Sequence, residues 1–95
     1  MARLKTAKQM ERHLKGISNH YRIDILLTIA KNKNITLDEI IEKTKANGKT
    51  IGDHTRRLYS AGLITKSHEG NYVLHNLSPY GKKFVNFLRS FQNQS

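Results

Sequence analysis

The sequence predicts a mainly α chain with one small β-hairpin, in the order helix, helix, short strand, helix, helix, hairpin, helix. Three observations predict it. Apolar residues recur every three or four positions in five separate segments. Two of these segments are divided by Asn47-Gly48, a turn-forming pair. A segment of strand character then turns back at Glu69-Gly70-Asn71 before Ser78-Pro79 opens the last helix. The 95 residues fit one domain over 1–95 with one thin core.

In the first helix Leu4, Ala7, Met10, Leu14 and Ile17 draw one apolar stripe, with Lys5, Lys8, Arg12 and Lys15 off it. Gly16 loosens its end. Asn19 caps a second helix, and Ile23 to Ala30 is apolar around most of the circumference, as in a helix buried on several sides. Lys31 to Asn34 end it. Ile35 suits a very short strand. Thr36 with Glu39 forms a capping box for a third helix, whose apolar side is Leu37, Ile40 and Ile41.

Asn47-Gly48 ends that helix and makes the turn. The fourth helix runs from about Lys49 to Ala61. With Ile51 inward, Thr55, Leu58 and partly His54 share its side, so Lys49, Gly52, Asp53, Arg56, Arg57 and Ser60 face outward. Gly62 closes the helix. Leu63–Ser67 and Tyr72–Leu77 read as strands around a turn at His68–Asn71, giving a hairpin over about 64–77. In the last helix Tyr80, Phe84, Phe87, Leu88 and Phe91 form a single stripe, and residues 92–95 read as a frayed tail. Two helices joined by a tight turn and followed at once by a hairpin are a helix-turn-helix with a wing.

The same residues resemble a known family. Ser18 to Leu26, Ser-Asn-His-Tyr-Arg-Ile-Asp-Ile-Leu, is similar to the Ser-Asn-Pro-x-Arg-Leu-x-Ile-Leu opening of ArsR-type winged-helix regulators, with His20 in place of proline. Ile51 to Ile64 resembles their recognition helix and its Ala-Gly-Leu-Ile exit. Leu77 to Lys82 is similar to the Leu-Thr-x-x-Gly-Lys opening of the last helix in MarR- and PadR-like winged helices. Together these cover about Leu14 to Lys83. The resemblance implies a DNA-binding transcriptional regulator, often dimeric. Three departures stand out. With no cysteine and no histidine in the last helix, the metal sites of ArsR sensors are missing. The wing tip His68-Glu69-Gly70-Asn71 lacks the usual arginine or lysine, and Thr55 stands where the family prefers an apolar residue.

Charge agrees with a polyanionic partner. Seventeen Lys+Arg against seven Asp+Glu give a formal net charge of +10, and the N-terminal third is the most basic. Double-stranded DNA is the expected partner. A major groove admits one α-helix. On the fourth helix, Arg56 or Arg57 suits guanine O6 and N7, Asp53 suits cytosine N4, and Lys49 and Thr50 suit phosphates. Gly52 permits close approach to the groove; it is equally a tolerated first-turn glycine. Ser60, His68 and Asn71 complete the expected contact set. Lys5, Lys8, Arg12, Lys15 and Arg22 are candidate phosphate contacts; the four on the first helix serve equally to solubilise it, and Arg22 suits an internal carboxylate just as well.

The stripes on the first and last helices suit either mutual packing or a homodimer. An interaction module that keeps the winged fold, or less readily an RNA binder, are the rival readings. His13, His20, His54, His68 and His75 show no i, i+3 or i, i+4 pair, so no metal site is expected. No cofactor, catalytic motif, apolar signal region or membrane-length apolar run appears. An intracellular, cytoplasmic protein follows.

Overall fold

The computed structural model describes residues 3–93. The elements are α1 (Ala7–Ile17), α2 (His20–Lys31), α3 (Leu37–Thr44), α4 (Gly48–Ser60), β1 (Ile64–Glu69), β2 (Tyr72–Leu77) and α5 (Pro79–Gln92). β1 and β2 form one antiparallel ladder from Ile64↔Leu77 to Glu69↔Tyr72. Ile35 adds a single antiparallel bridge to His75. This is the expected order, mostly helical with a hairpin wing.

Local chemistry explains the boundaries. α1 starts later than its apolar stripe suggests, because Thr6 and Gln9 form a capping box: the Thr6 N–H donates to Gln9 Oε1 at 2.8 Å, and the Gln9 N–H to Thr6 Oγ1 at 3.1 Å. Leu4 and Lys5 therefore precede the helix. Asn19 caps α2, accepting from the Tyr21 and Arg22 N–H groups. Thr36 and Glu39 cap α3 as expected.

α3 does not end at Asn47-Gly48. Lys45 already closes it in the left-handed region at φ 56°. Asn47 instead caps α4, accepting from Lys49 and Thr50 N–H groups at 2.9 and 3.4 Å, and Gly48 becomes the first residue of that helix. α4 thus runs one residue earlier at each end than expected.

β1 also runs on to Glu69, leaving only Gly70 and Asn71 as the turn. Gly70 has φ 61° while Asn71 keeps a negative φ, the pattern of a type II′ hairpin. His68 accordingly sits in the ladder opposite Val73, not in the turn. α5 holds Gln92 in its last turn and Asn93 as its cap, so the expected fraying does not apply there; Gln94 and Ser95 lie outside the described residues.

The core gathers Ile25, Leu26 and Ile29 of α2 against Ile40 of α3, Ile51 and Leu58 of α4 and Val85 of α5. The two outer stripes enter it only in part, through Ile17 of α1 and the half-buried Phe84 and Leu88 of α5. On α1 it is His13 and Ile17 that are buried, while Met10 and Leu14, with Leu4 ahead of the helix, are exposed. On α5 it is Gly81 and Val85 that are buried; Phe84 and Leu88 are half-buried, whereas Tyr80, Phe87 and Phe91 are exposed. The stripes face one another only in part, where Met10 and Leu14 of α1 line one cavity with Tyr80 and Phe84 of α5. Tyr80 marks the contact: its ring is tilted against that of His13 at 5.0 Å and lies 4.2 Å under the Lys5 ammonium.

Candidate nucleic-acid interface

α4 positions the site. Its inner side carries Ile51, Thr55 and Leu58, all buried. Thr55 resolves its polarity locally: its hydroxyl donates to the Ile51 carbonyl at 2.7 Å. The 100° step of a helix then throws Lys49, Asp53, Arg56 and Ser60 to the opposite side, and all four are exposed. Arg56 and Asp53 pair across that face at 3.1 Å. Both are well exposed, so the pair adds little stability; it holds a donor fork and an acceptor side by side.

Thr50 and Arg57 flank this face on one side, and both are exposed. Gly52 and Tyr59 flank it on the other, toward the wing. A Cβ at Gly52 would meet nothing within 4 Å, so the glycine leaves an open floor rather than a close contact. That floor belongs to a groove of about 270 Å³ between α3, α4 and the wing, bordered by Thr36, Asp38, Lys66, Asn71 and Tyr72.

The wing is richer than its tip suggests. Lys66 lies halfway along β1 on the side facing α4, its ammonium 4.8 Å over the Tyr59 ring. It is a cation beside the recognition helix that a search of the tip alone misses. The period of two along β1, with Ile64 buried, marks Lys66 and His68 as sharing one face. Tyr72, exposed at the start of β2, is a second residue missed in the same way.

Arg22 is not free. Its Nη1 donates to His54 Nδ1 at 3.1 Å and its Nη2 to the Lys15 carbonyl at 3.5 Å, so its partner is neither a carboxylate nor open solvent. Accepting at Nδ1 requires His54 to be neutral. Burial and then the charges of Arg22 and Arg57 push its pKa down, in agreement. The His54 ring also stacks with Tyr21 at 5.5 Å, which ties α2 to the middle of α4.

Lys8, Arg12 and Lys15 are exposed on α1, with Lys15 reaching Glu11 at 3.8 Å. Lys5 lies over Tyr80 and lines one cavity with Lys8 and Arg12. His13 and His75 are buried and each donates from Nδ1 to a distant carbonyl, Ala61 at 2.6 Å and Ile35 at 2.9 Å. They are structural pins between segments distant in sequence. Among the described residues no group of three or more His, Asp or Glu side chains could hold a metal ion, and no helix is long and apolar enough to cross a membrane.

A solvent-facing polar helix, seated on a helical core and flanked by a hairpin, defines a class of protein. Residues 18–65, just over half of the chain, match the winged helix-turn-helix DNA-binding family. The chain belongs to that family, which is defined by DNA binding rather than by a reaction. Solved structures share the fold. HlyU from Vibrio cholerae N16961 superposes with a TM-score of 0.84 at 22% identity, over 97% of this chain and 100% of that one. The homodimeric winged helix-turn-helix DNA-binding domain Mb0332 from Mycobacterium bovis, a possible ArsR-family transcriptional regulator, gives 0.80 at 21% identity, over 98% and 91%. A stretch of alanine–tRNA ligase from Crocosphaera subtropica (strain ATCC 51142 / BH68) is 31% identical over 77 residues, 74% of this chain; the chain spans 9% of the length of that curated relative.

Proposed function

We propose that the chain is a cytoplasmic transcriptional regulator that reads duplex DNA as a homodimer, with residues 1–95 acting as one DNA-binding unit. One observation carries the DNA contact: the exposed side of α4 presents Lys49, Asp53, Arg56 and Ser60 outward from the family-defining segment. That side enters the major groove. Arg56 pairs with a guanine edge, Asp53 accepts from a neighbouring cytosine amine, and Lys49 and Thr50 hold phosphates near the helix start. Gly52 keeps the groove beside α4 open for the DNA backbone, which His68, Asn71 and Lys66 of the wing meet. Lys8, Arg12 and Lys15 add backbone charge from α1, with Lys5 at its margin.

The dimer is supported by the apolar side chains left uncovered on α1 and α5, namely Met10, Leu14, Phe87 and Phe91. Reading two half-sites one turn of DNA apart requires that the dimer hold its two α4 helices about 34–36 Å apart. The Mycobacterium bovis domain of the same fold is homodimeric. Selection from random duplexes, followed by titration of the enriched site against an Arg56→Ala variant, tests the function. A pseudo-palindrome and a loss of discrimination at one base pair are expected. Equal binding of every duplex by both proteins would refute it, as would stronger binding of single-stranded RNA.

A further inference from the structure

The cleft between α1 and α4 concentrates positive charge that a helix in the major groove does not use. Its floor is a close contact: a Cβ on Gly16 would overlap that of Ala61, so only glycine lets the two helices touch there. Around the floor stand Arg12 and Lys15 from α1, Arg22 from the start of α2, and Arg57 and Ser60 from α4. The cleft measures about 290 Å³, and no carboxylate lines it. Glu11 reaches Lys15 from outside at 3.8 Å, and Asp53 is turned to Arg56.

Arg22 is held at the back of this cleft by His54 and the Lys15 carbonyl, and its Nε is buried with no hydrogen-bond partner among the described residues. Burial and the nearby Arg57 lower its pKa, yet a guanidinium stays charged at any working pH. The free protein therefore carries four like charges on one small area. An anion between them removes the repulsion, and the exposed forks of Arg12 and Arg57 can bind a phosphate bidentately.

The helix geometry says which phosphate. Arg57 leaves α4 one residue after Arg56, about 100° around the axis. When Arg56 points to the floor of the major groove, Arg57 points to the groove wall, where the sugar-phosphate backbone runs. We infer that the α1–α4 cleft seats one DNA backbone phosphate, gripped by Arg12 and Arg57, with Lys15 beside them and Arg22 as a fixed charge behind. The inference rests on the DNA-binding reading and divides two adjacent arginines: Arg56 reads sequence, and Arg57 clamps the backbone.

Single methylphosphonate linkages, each removing one phosphate charge, are walked along both strands of the selected duplex. Full-length parent, Arg12→Gln and Arg57→Gln proteins are titrated against each. At one position per half-site the parent should lose affinity while both variants lose nothing further. Both variants should bind all sequences more weakly, with unchanged base preference and a salt dependence shallower by about 0.9 in log–log slope for each phosphate no longer neutralised. If the variants respond to every methylphosphonate as the parent does, or if Arg57→Gln alters the preferred base, the assignment is wrong. A parent that binds no duplex removes the DNA reading and this one with it; a parent that binds with no coupled phosphate removes this one alone.

Discussion

His75 shows what a single side chain does in this fold. It is buried in β2, its Nδ1–H donates to the Ile35 carbonyl at 2.9 Å, and its own backbone N–H donates to the same oxygen at 2.8 Å. Burial depresses its pKa below the ordinary 6.5, more than the hydrogen bond to Ile35 raises it. His54 is shifted the same way. In both cases the unfolded chain takes up the proton first, so stability is full above pH 6.5 and falls as the pH drops through the folded-state values. Urea midpoints should be flat above that point and decline below it; midpoints that rise on acidification would contradict the burial argument. Gly52→Ala should raise stability by about 1 kcal/mol, since a helix prefers alanine and the Cβ meets open space. It should also weaken duplex binding if the open floor serves the backbone. The histidine roles are illegible in the sequence for a physical reason. The carbonyls that His13 and His75 satisfy lie 48 and 40 residues away, and no local pattern encodes such a partner. Thr55 is the reverse case: its polarity is answered one turn back on the same helix.

At the scale of the element, caps and periodicity carry most of the fold. The start of α2 and the start of α3 can be read from Asn19 and from Thr36 with Glu39. Thr6 with Gln9 bears a similar signature, masked because the apolar stripe continues past it to Leu4. Asn47 has the character of a breaker in the sequence, yet its side chain is a helix start. Asn47→Ala should therefore cost about 1 kcal/mol, read from urea unfolding, and weaken DNA binding by loosening the first turn of α4. The stripes on α1 and α5 are legible as stripes. What covers them is not, because periodicity shows that a face is apolar but not what packs on it. α5 seats itself through a narrower line, where a Cβ on Gly81 would overlap the Leu63 carbonyl oxygen. Gly81→Ala should cost about 1–3 kcal/mol by forcing α5 off the Leu63 backbone just ahead of β1. Leu14→Glu with Phe87→Glu should leave the protomer folded and halve its mass in analytical ultracentrifugation. A parent that already sediments as a monomer would overturn the dimer.

At the scale of the whole molecule, the formal charge of +10 sets a long-range field, and the fold decides where it acts. Cations from distant parts of the chain, Arg12, Arg22 and Arg57, converge on one cleft, while Lys66 borders the groove on the other side of α4. Composition reveals the sign of the partner and the helix-turn-helix order reveals its shape. The convergence itself depends on the contact of Gly16 with Ala61, 45 residues apart, and no local sequence window shows it. The most direct test of the account is the affinity of parent and Arg56→Ala proteins for a duplex site selected from random sequence, measured against a scrambled duplex. The account predicts that the parent prefers its site, that the substitution costs about 1–3 kcal/mol on that site, and that discrimination relaxes at one base pair. Equal affinity for both duplexes, unchanged by the substitution, would show that the exposed face of α4 does not read DNA.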